Sequence, residues 1–261
     1  MISKNEIVTN FEKFEKDLEF CSLKTIDKPR DYQIKVFENL KGQNSILFME
    51  TGKGKTFISI MLINHIMSKN INKLSSSRVS PKDKELLVPN GKKVVFLVCE
   101  VALVSQQSRV IDINCNYKVK EFSGGKKMSK LSSDPFIFRK EWDSNDIFVS
   151  TPTIIHRLLY TGYIKLSDID LLVFDECHHT DSNHPYNLIM TEFYFYNKEF
   201  KENYKLPQIL GLTASPLKKK LDSNINDAAK QALISLSESL DCKIVIDPEV
   251  LNYEIKVDKG N

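Results

Sequence analysis

From residue 45 onward the chain alternates short apolar runs with longer stretches whose apolar residues recur every three or four positions. The runs 45–49, 94–99, 118–122, 147–150, 171–175, 209–212 and 243–246 predict strands. Two of them, Val94-Val-Phe-Leu-Val98 and Leu171-Leu-Val-Phe174, are apolar without alternation, as strands covered on both faces are. Between the runs, 54–67, 101–112, 153–160, 186–195 and 227–240 carry helical periodicity. Strands alternating with helices imply an α/β fold, with a parallel sheet and helices on both faces.

Two stretches break this rhythm. Residues 68–93 contain Ser75-Ser76-Ser77, Pro81, Pro89 and several lysines, and read as an exposed insertion. Residues 123–146 are similarly polar, with Phe136, Ile137, Phe138 and Trp142 expected to anchor part of the stretch as a helix. Near the start, Ile7, Phe11, Phe14 and Leu18 recur at helical spacing and predict an amphipathic arm packed on the body. The domain reading is therefore an arm over 1–27 and one α/β domain over 28–261.

Composition narrows the partners only a little. The chain has 261 residues, 41% of them hydrophobic and 27% charged, as in an ordinary globular domain. A net charge of +3 permits nucleic-acid binding without arguing for it, so any basic surface has to be local. The five cysteines (Cys21, Cys99, Cys115, Cys177 and Cys242) form no CxxC pair, and suit a reducing compartment better than a disulfide framework or a zinc site. Residues 1–20 are rich in Lys and Glu and have no apolar core, so they do not read as a signal peptide. No apolar run approaches the ~20 residues that span a bilayer. The expectation is an intracellular protein, cytoplasmic or nuclear, away from membranes.

The chemistry is concentrated at two strand ends. The first apolar run leads into Glu50-Thr51-Gly52-Lys53-Gly54-Lys55-Thr56 and then a periodic helix, which is the strand–loop–helix setting of a phosphate-binding loop. Gly52 and Gly54 allow backbone angles that turn successive N–H groups toward an anion, and the following helix adds its positive end. Lys55 would supply a cation for the β- and γ-phosphates, and Thr56 a hydroxyl ligand for Mg²⁺. The full pattern would have glycine where Met49 stands. The second site closes the run Leu171-Leu-Val-Phe174 with Asp175-Glu176. Adjacent acids at the carboxyl end of a buried parallel strand face the edge where ligands bind in such sheets. Asp175 would hold Mg²⁺ through water, and Glu176 would orient and deprotonate an attacking water. Cys177, His178 and His179 could suggest a metal site, but adjacent positions at a strand end diverge, which argues against zinc.

These residues resemble a known family. Asp175-Glu176-Cys177-His178 is similar to the DECH form of the second motif of superfamily-two helicases. Arg30-Asp31-Tyr32-Gln33 resembles the element that precedes the phosphate loop and reads adenine, and Leu212-Thr213-Ala214-Ser215 resembles the Thr-Ala-Ser motif that couples hydrolysis to movement of a second lobe. Gly124-Gly125, Thr151-Pro152 and the segment 98–107 stand where the family contacts the nucleic-acid backbone. The segments Gly162 to His179, Asp181-Ser-Asn-His-Pro-Tyr186, Asn90 to Val98 and Ile209 to Ser215 are strongly similar to the first helicase lobe of Dicer proteins. The resemblance spans residues 28 to 261.

It implies a RecA-like lobe of the P-loop NTPase type that binds ATP and Mg²⁺, with Glu176, Lys55 and Asp175 as the catalytic residues. Arg30, Gln33, Thr51, Gly52, Lys53, Gly54, Lys55 and Thr56 would bind the nucleotide, with Thr56 and Asp175 toward Mg²⁺. His178, Thr213 and Ser215 would couple the site to motion, and Gly124, Gly125 and Thr151 would touch RNA. Taken singly, Tyr32-Gln33 reads as a helix surface, Gly124-Gly125 as a turn and Thr151-Pro152 as a helix start. Lys218-Lys219-Lys220 reads as a solvated loop, with RNA contact the alternative.

The implied partners are double-stranded RNA, a second helicase lobe, ribonuclease domains of a larger Dicer-like protein and a double-stranded-RNA-binding partner protein. Alternatives are an RNA-sensor-type DECH-box ATPase, a duplex-DNA translocase and a non-catalytic RNA-binding or docking clamp. Neither arginine-bearing motif of a second lobe occurs in this sequence, and such an arginine is worth about 10³–10⁵ in rate. The chain alone is therefore expected to bind ATP·Mg²⁺ weakly and to hydrolyse it poorly.

Overall fold

The computed structural model describes residues 29–75, 93–123, 134–180, 183–214 and 225–246. Seven strands form one parallel sheet: β1 (Ser45–Phe48), β2 (Lys93–Leu97), β3 (Val119–Phe122), β4 (Ile147–Ser150), β5 (Ile169–Phe174), β6 (Gln208–Thr213) and β7 (Lys243–Ile246). Their order across the sheet is β3-β4-β2-β5-β6-β1-β7. Each run read from the sequence is a strand, with ends displaced by at most two residues.

Both faces of the sheet are covered. In β2, Val94 and Phe96 join one core while Val95 and Leu97 join the other; in β5 the split is Leu171 and Val173 against Leu172 and Phe174. Successive strand residues point to opposite faces, so a strand buried twice must be apolar at every position. The first face is packed by α1 (Asp31–Leu40), α2 (Lys55–Ser75) and α3 (Val101–Asn114). The second is packed by α4 (Pro135–Ser144), α5 (Pro152–Tyr160), α6 (Pro185–Leu188) and the π-helical segment Ile189–Phe195, which runs on into α7 (Tyr196–Phe200). Leu236 and Leu240 of α8 (Ile225–Leu240) complete that core.

Several elements differ from the sequence reading. Helix α1 was not among the predicted helices, although Ile34, Phe37 and Leu40 repeat at helical spacing and bury against α2. Its start is closed by Gln33, whose Oε1 accepts from the Arg30 N–H at 2.9 Å, so Gln33 is an inner residue and not a helix surface. Helix α2 continues through Ser75, and Lys93 opens β2, so both ends of the supposed insertion belong to regular elements. Lys93 is buried with its ammonium donating to the Asn145 carbonyl at 2.7 Å. Residues 76–92 lie outside the described residues, as does the expected N-terminal arm.

Helix α4 forms where aromatic anchors were expected, opened by Asp134 accepting from Phe136 N at 2.9 Å and Ile137 N at 3.2 Å. Only half of the anchors point inward. Phe138 and Trp142, one turn apart, are buried, and the Trp142 ring stacks on Phe148 at 4.3 Å; Phe136 and Ile137 face outward. The predicted helix over 186–195 is α-helical only to Leu188 and then widens into the π-helical segment. Among the described residues no helix is long and apolar enough to cross a membrane.

The interior leaves little slack at β6. A Cβ added to Gly211 would lie 2.9 Å from Cys177 Sγ, 3.2 Å from Ile46 Cγ1 and 3.3 Å from Leu240 Cδ1. Cys177 and Leu240 come from different elements of the same core, so neither moves alone. Gly211→Ala is expected to destabilise the chain by about 1–3 kcal/mol in urea unfolding, as overpacking does elsewhere; an unchanged midpoint would mean that this contact is slack.

Candidate nucleotide-binding site

Because every strand runs the same way, every strand ends at one edge of the sheet, and the residues singled out in the sequence follow those ends. The glycine loop leaves β1, Thr151 leaves β4, Asp175 and Glu176 leave β5, and Thr213 closes β6. Lateral hydrogen bonds hold these ends level. Met49 N donates to Thr213 O at 3.0 Å, and Asp175 N donates to Leu97 O at 2.9 Å.

The glycine loop has the conformation that its glycines predict. Gly52 and Gly54 have φ of 82° and 93°, which side-chain-bearing residues rarely adopt. Gly54 is constrained further, because a Cβ there would collide with Gln33 Nε2. Tyr32 Oη donates to Lys53 O at 2.7 Å, and Gln33 Nε2 reaches the same carbonyl at 3.5 Å. Helix α1 thus braces the loop from behind, with Arg30, Tyr32 and Gln33 at its first turn. Tyr32 was quoted in the sequence motif without a role; nothing in periodicity foretells its hydroxyl contact twenty-one residues away. Lys55 opens α2 and turns back so that Nζ donates to Met49 O at 3.0 Å. That is the carbonyl of the residue where the usual pattern has glycine, and its main chain serves whatever side chain it carries. Thr56 follows on the half-buried first turn of α2, and Thr51 and Gly52 are exposed.

The two acids beyond β5 are in different electrostatic settings. Burial, and then the neighbouring Glu176 charge, push the Asp175 carboxyl up to about 6, against the opposing pull of the Glu176 N–H, Lys55 and His178. The Glu176 N–H donates to Asp175 Oδ1 at 3.1 Å. Glu176 itself is held below the usual carboxylate range, chiefly by a hydrogen bond from His178, aided by Lys55. Lys55 acts on both acids, which places the phosphate loop and the carboxylate pair in one site. Glu176 also has left-handed backbone angles, φ 48° and ψ 52°. A side-chain-bearing residue in that region costs on the order of 1 kcal/mol, and such strain collects at functional positions.

His178 joins the carboxylates to the end of β6. Its Nδ1 lies 3.0 Å from Thr213 Oγ1 and 3.3 Å from Glu176 Oε2. Cys177 turns the other way into the core, where burial raises its thiol pKa well above the usual value. Among the described residues no cluster of three or more His, Cys, Asp or Glu side chains is arranged to hold a metal by itself. Thr151 is buried at the N-terminus of α5, its carbonyl accepting from Ile154 N at 3.2 Å. Gly124, Gly125, Ser215 and the lysines 218–220 lie outside the described residues.

The arrangement fits a nucleoside triphosphate with a divalent cation. A glycine loop with two positive-φ residues at the start of a 21-residue helix suits polyphosphate, with Lys55 on the helix's first turn. Two carboxylates next to one lysine leave a partly buried negative charge that a cation would neutralise, and Thr56 offers a hydroxyl nearby in sequence.

Three comparisons relate the chain to known proteins. Residues 26–218 match the family described as the type III restriction enzyme, res subunit. The chain is 34% identical over 89% of its length to Dicer-like protein 1 of Cryphonectria parasitica. It is 34% identical over 89% of its length to endoribonuclease Dicer homolog 1 of Arabidopsis thaliana. It spans only 14% and 10% of those relatives. Among solved structures, the helicase domain of Pyrococcus furiosus Hef superposes with a TM-score of 0.59 at 25% identity, covering 84% of this chain and 38% of that one.

The raised Asp175 carboxyl sets a pH signature in the nucleotide-free chain. Its folded pKa lies above its ordinary value, so the folded state holds the proton longer than the unfolded state. Stability from this group is therefore intact below about pH 4 and declines as pH rises from 3.8 through about 6. Asp175→Asn keeps the Oδ1 acceptor and removes the charge. Its stability advantage over the unsubstituted chain is expected to grow across that window to roughly 1–3 kcal/mol at neutral pH. Denaturant midpoints measured from pH 4 to 8 read this directly, and parallel curves for the two chains would count against a desolvated Asp175.

Proposed function

We propose that this chain, which belongs to the family described as the type III restriction enzyme, res subunit, is a helicase-type domain of the Dicer kind that binds and hydrolyses ATP. The observation that carries the reading is the convergence of Lys55, Asp175, Glu176, His178 and Thr213 on one edge of the sheet, drawn from the start of α2, the turn after β5 and the end of β6 and joined by hydrogen bonds or charge.

ATP with Mg²⁺ would supply an activated phosphoryl group, with the cation neutralising charge on the phosphates. The backbone N–H groups of residues 51–56 bind the phosphate chain, and Lys55 exchanges the Met49 carbonyl for a phosphate oxygen. Thr56 and Asp175 would hold the cation, and its charge would keep Asp175 ionised at neutral pH. Glu176 stays ionised in its His178 hydrogen bond, and one of its carboxylate oxygens accepts a proton from the attacking water. His178 passes the change in Glu176 to Thr213 Oγ1, and from there to the residues after β6, Ser215 included. Arg30 and Gln33, at the α1 N-terminus that braces the loop, face the base.

The RNA side of the reading rests on the same edge. The backbone at Thr151, at the N-terminus of α5, and at Gly124-Gly125, after β3, would take phosphates of double-stranded RNA. The larger setting, again proposed, is an intracellular Dicer-like ribonuclease in which a second lobe supplies arginines to this site and a double-stranded-RNA-binding protein assists. The 261-residue chain alone is then a weak ATPase.

Glu176→Gln is the direct test. In a protein carrying both helicase lobes, it is expected to lower ATP turnover at least about 100-fold while leaving binding of a fluorescent ATP analogue within a few-fold. Unchanged turnover would remove Glu176 from the chemistry and favour the clamp reading.

A further inference from the structure

The sequence His184-Pro185-Tyr186 served above only as a family signature, yet the structure places Tyr186 against the main chain that carries Asp175. Helix α6 is opened by His184, whose Nδ1 accepts from Tyr186 N at 3.2 Å, with Pro185 as the first helical residue. That start directs the Tyr186 side chain under the sheet edge, where it is fully buried. Its ring meets Phe174 edge-to-face at 4.9 Å, and meets His184 at 4.8 Å. The hydroxyl ends between two main-chain oxygens, Asp175 O at 2.8 Å and Leu97 O at 3.0 Å.

Both oxygens belong to the site already described. Leu97 O also accepts the Asp175 N–H at 2.9 Å, so the hydroxyl completes a closed set of bonds around the Asp175 peptide. Asp175 follows the last residue of β5, where the sheet ladder no longer holds its carbonyl, and Glu176 follows it in a left-handed conformation. A residue between a strand end and a strained residue is free to rotate about its backbone unless something fixes both of its peptide groups. Tyr186 supplies the second fixing point. An ordinary packing role would need the ring alone; a phenol buried this deeply is tolerated where its O–H is paired.

We propose that Tyr186 is a positioning residue for the nucleotide site, its hydroxyl clamping the Asp175 carbonyl to the end of β2 and so fixing the direction of the Asp175 carboxylate toward Mg²⁺. The inference rests on the nucleotide reading above and adds a residue to it. Tyr186 touches neither nucleotide nor cation; it acts through the Asp175 backbone. Residues that orient a ligand in this way commonly change metal affinity or activity about 10–100-fold when lost.

The test compares Tyr186→Phe with Tyr194→Phe in the 261-residue chain. Tyr194 is also a buried tyrosine with a bonded hydroxyl, donating to Asp241 Oδ2 at 2.9 Å and accepting from Asn44 Nδ2 at 2.7 Å. Those partners lie just before β1 and β7, at the opposite edge of the sheet from the site. Thermal unfolding and Mg²⁺-dependent binding of a fluorescent ATP analogue are measured for both variants, the latter well below either melting temperature. Tyr186→Phe is expected to raise the half-saturating Mg²⁺ concentration about 10-fold. Tyr194→Phe is expected to lower the melting temperature and leave that concentration unchanged. The same Mg²⁺ dependence in Tyr186→Phe as in the unsubstituted chain would overturn the proposal, as would an equal shift in both variants. Failure of the unsubstituted chain to bind the analogue at any Mg²⁺ concentration would instead defeat the nucleotide reading, so the two failures are distinguishable.

Discussion

Everything in this molecule depends on the parallel pairing of β2, β5, β6 and β1. Parallel strands cannot be joined by tight turns, so each is followed by a loop and a crossover at the same edge of the sheet. The register Phe48 opposite Thr213, Gly211 opposite Phe174 and Phe174 opposite Leu97 keeps those loops at one height. Residues more than a hundred positions apart, such as Lys55 and Asp175, therefore come within electrostatic reach without any contact designed for that purpose. The register in turn depends on close packing beneath it. Gly211 is the position where β6 passes under Cys177, and a larger residue there would push against the loop that carries the acids.

The site is held in a state that a ligand would relieve. Asp175 is ionised at neutral pH only against burial and against the charge of Glu176. Glu176 occupies an unfavourable backbone region, and Lys55 spends its charge on a main-chain carbonyl. The desolvated Asp175 carboxylate costs stability in the nucleotide-free domain, and a cation beside it would offset that cost. A protein selected only for stability would replace Asp175 with a neutral residue. A left-handed backbone and a desolvated carboxyl meet at Asp175-Glu176, in a sheet otherwise built from apolar runs.

What the sequence made legible follows the same physics. The seven strands could be read because burial on both faces demands uninterrupted apolar runs, which a linear pattern records. The Gly52–Thr56 loop and the Asp175-Glu176 pair could be read because they need particular residue types next to particular elements. Other features have no linear signature. The Tyr32 hydroxyl reaches a carbonyl twenty-one residues on, and the left-handed angle of Glu176 is a backbone setting that no linear pattern records. Phe136 and Ile137 look like anchors beside Phe138 and Trp142 until the helix phase, set by the Asp134 cap, turns them outward. The widening of the helix after Leu188 was likewise invisible, since its residues keep a helical apolar pattern.

The helical residues after the acids make a last point about how such an edge is stabilised. A strand end proposed to carry a catalytic acid cannot be covered by apolar packing on its open side, because a ligand would have to enter there. It has to be fixed from behind. The fold does this twice with tyrosines, once through Tyr32 on the Lys53 carbonyl and once through Tyr186 on the Asp175 carbonyl. In both cases an apolar ring is supplied by the core and a single O–H reaches the main chain of a loop that must hold its shape. A hydroxyl on a rigid aromatic arm loses little freedom on being placed, so it fixes a backbone at low entropic cost. The glycine loop and the acid pair are thus held by their own residues and also by two tyrosines whose hydroxyls bond main-chain carbonyls from behind.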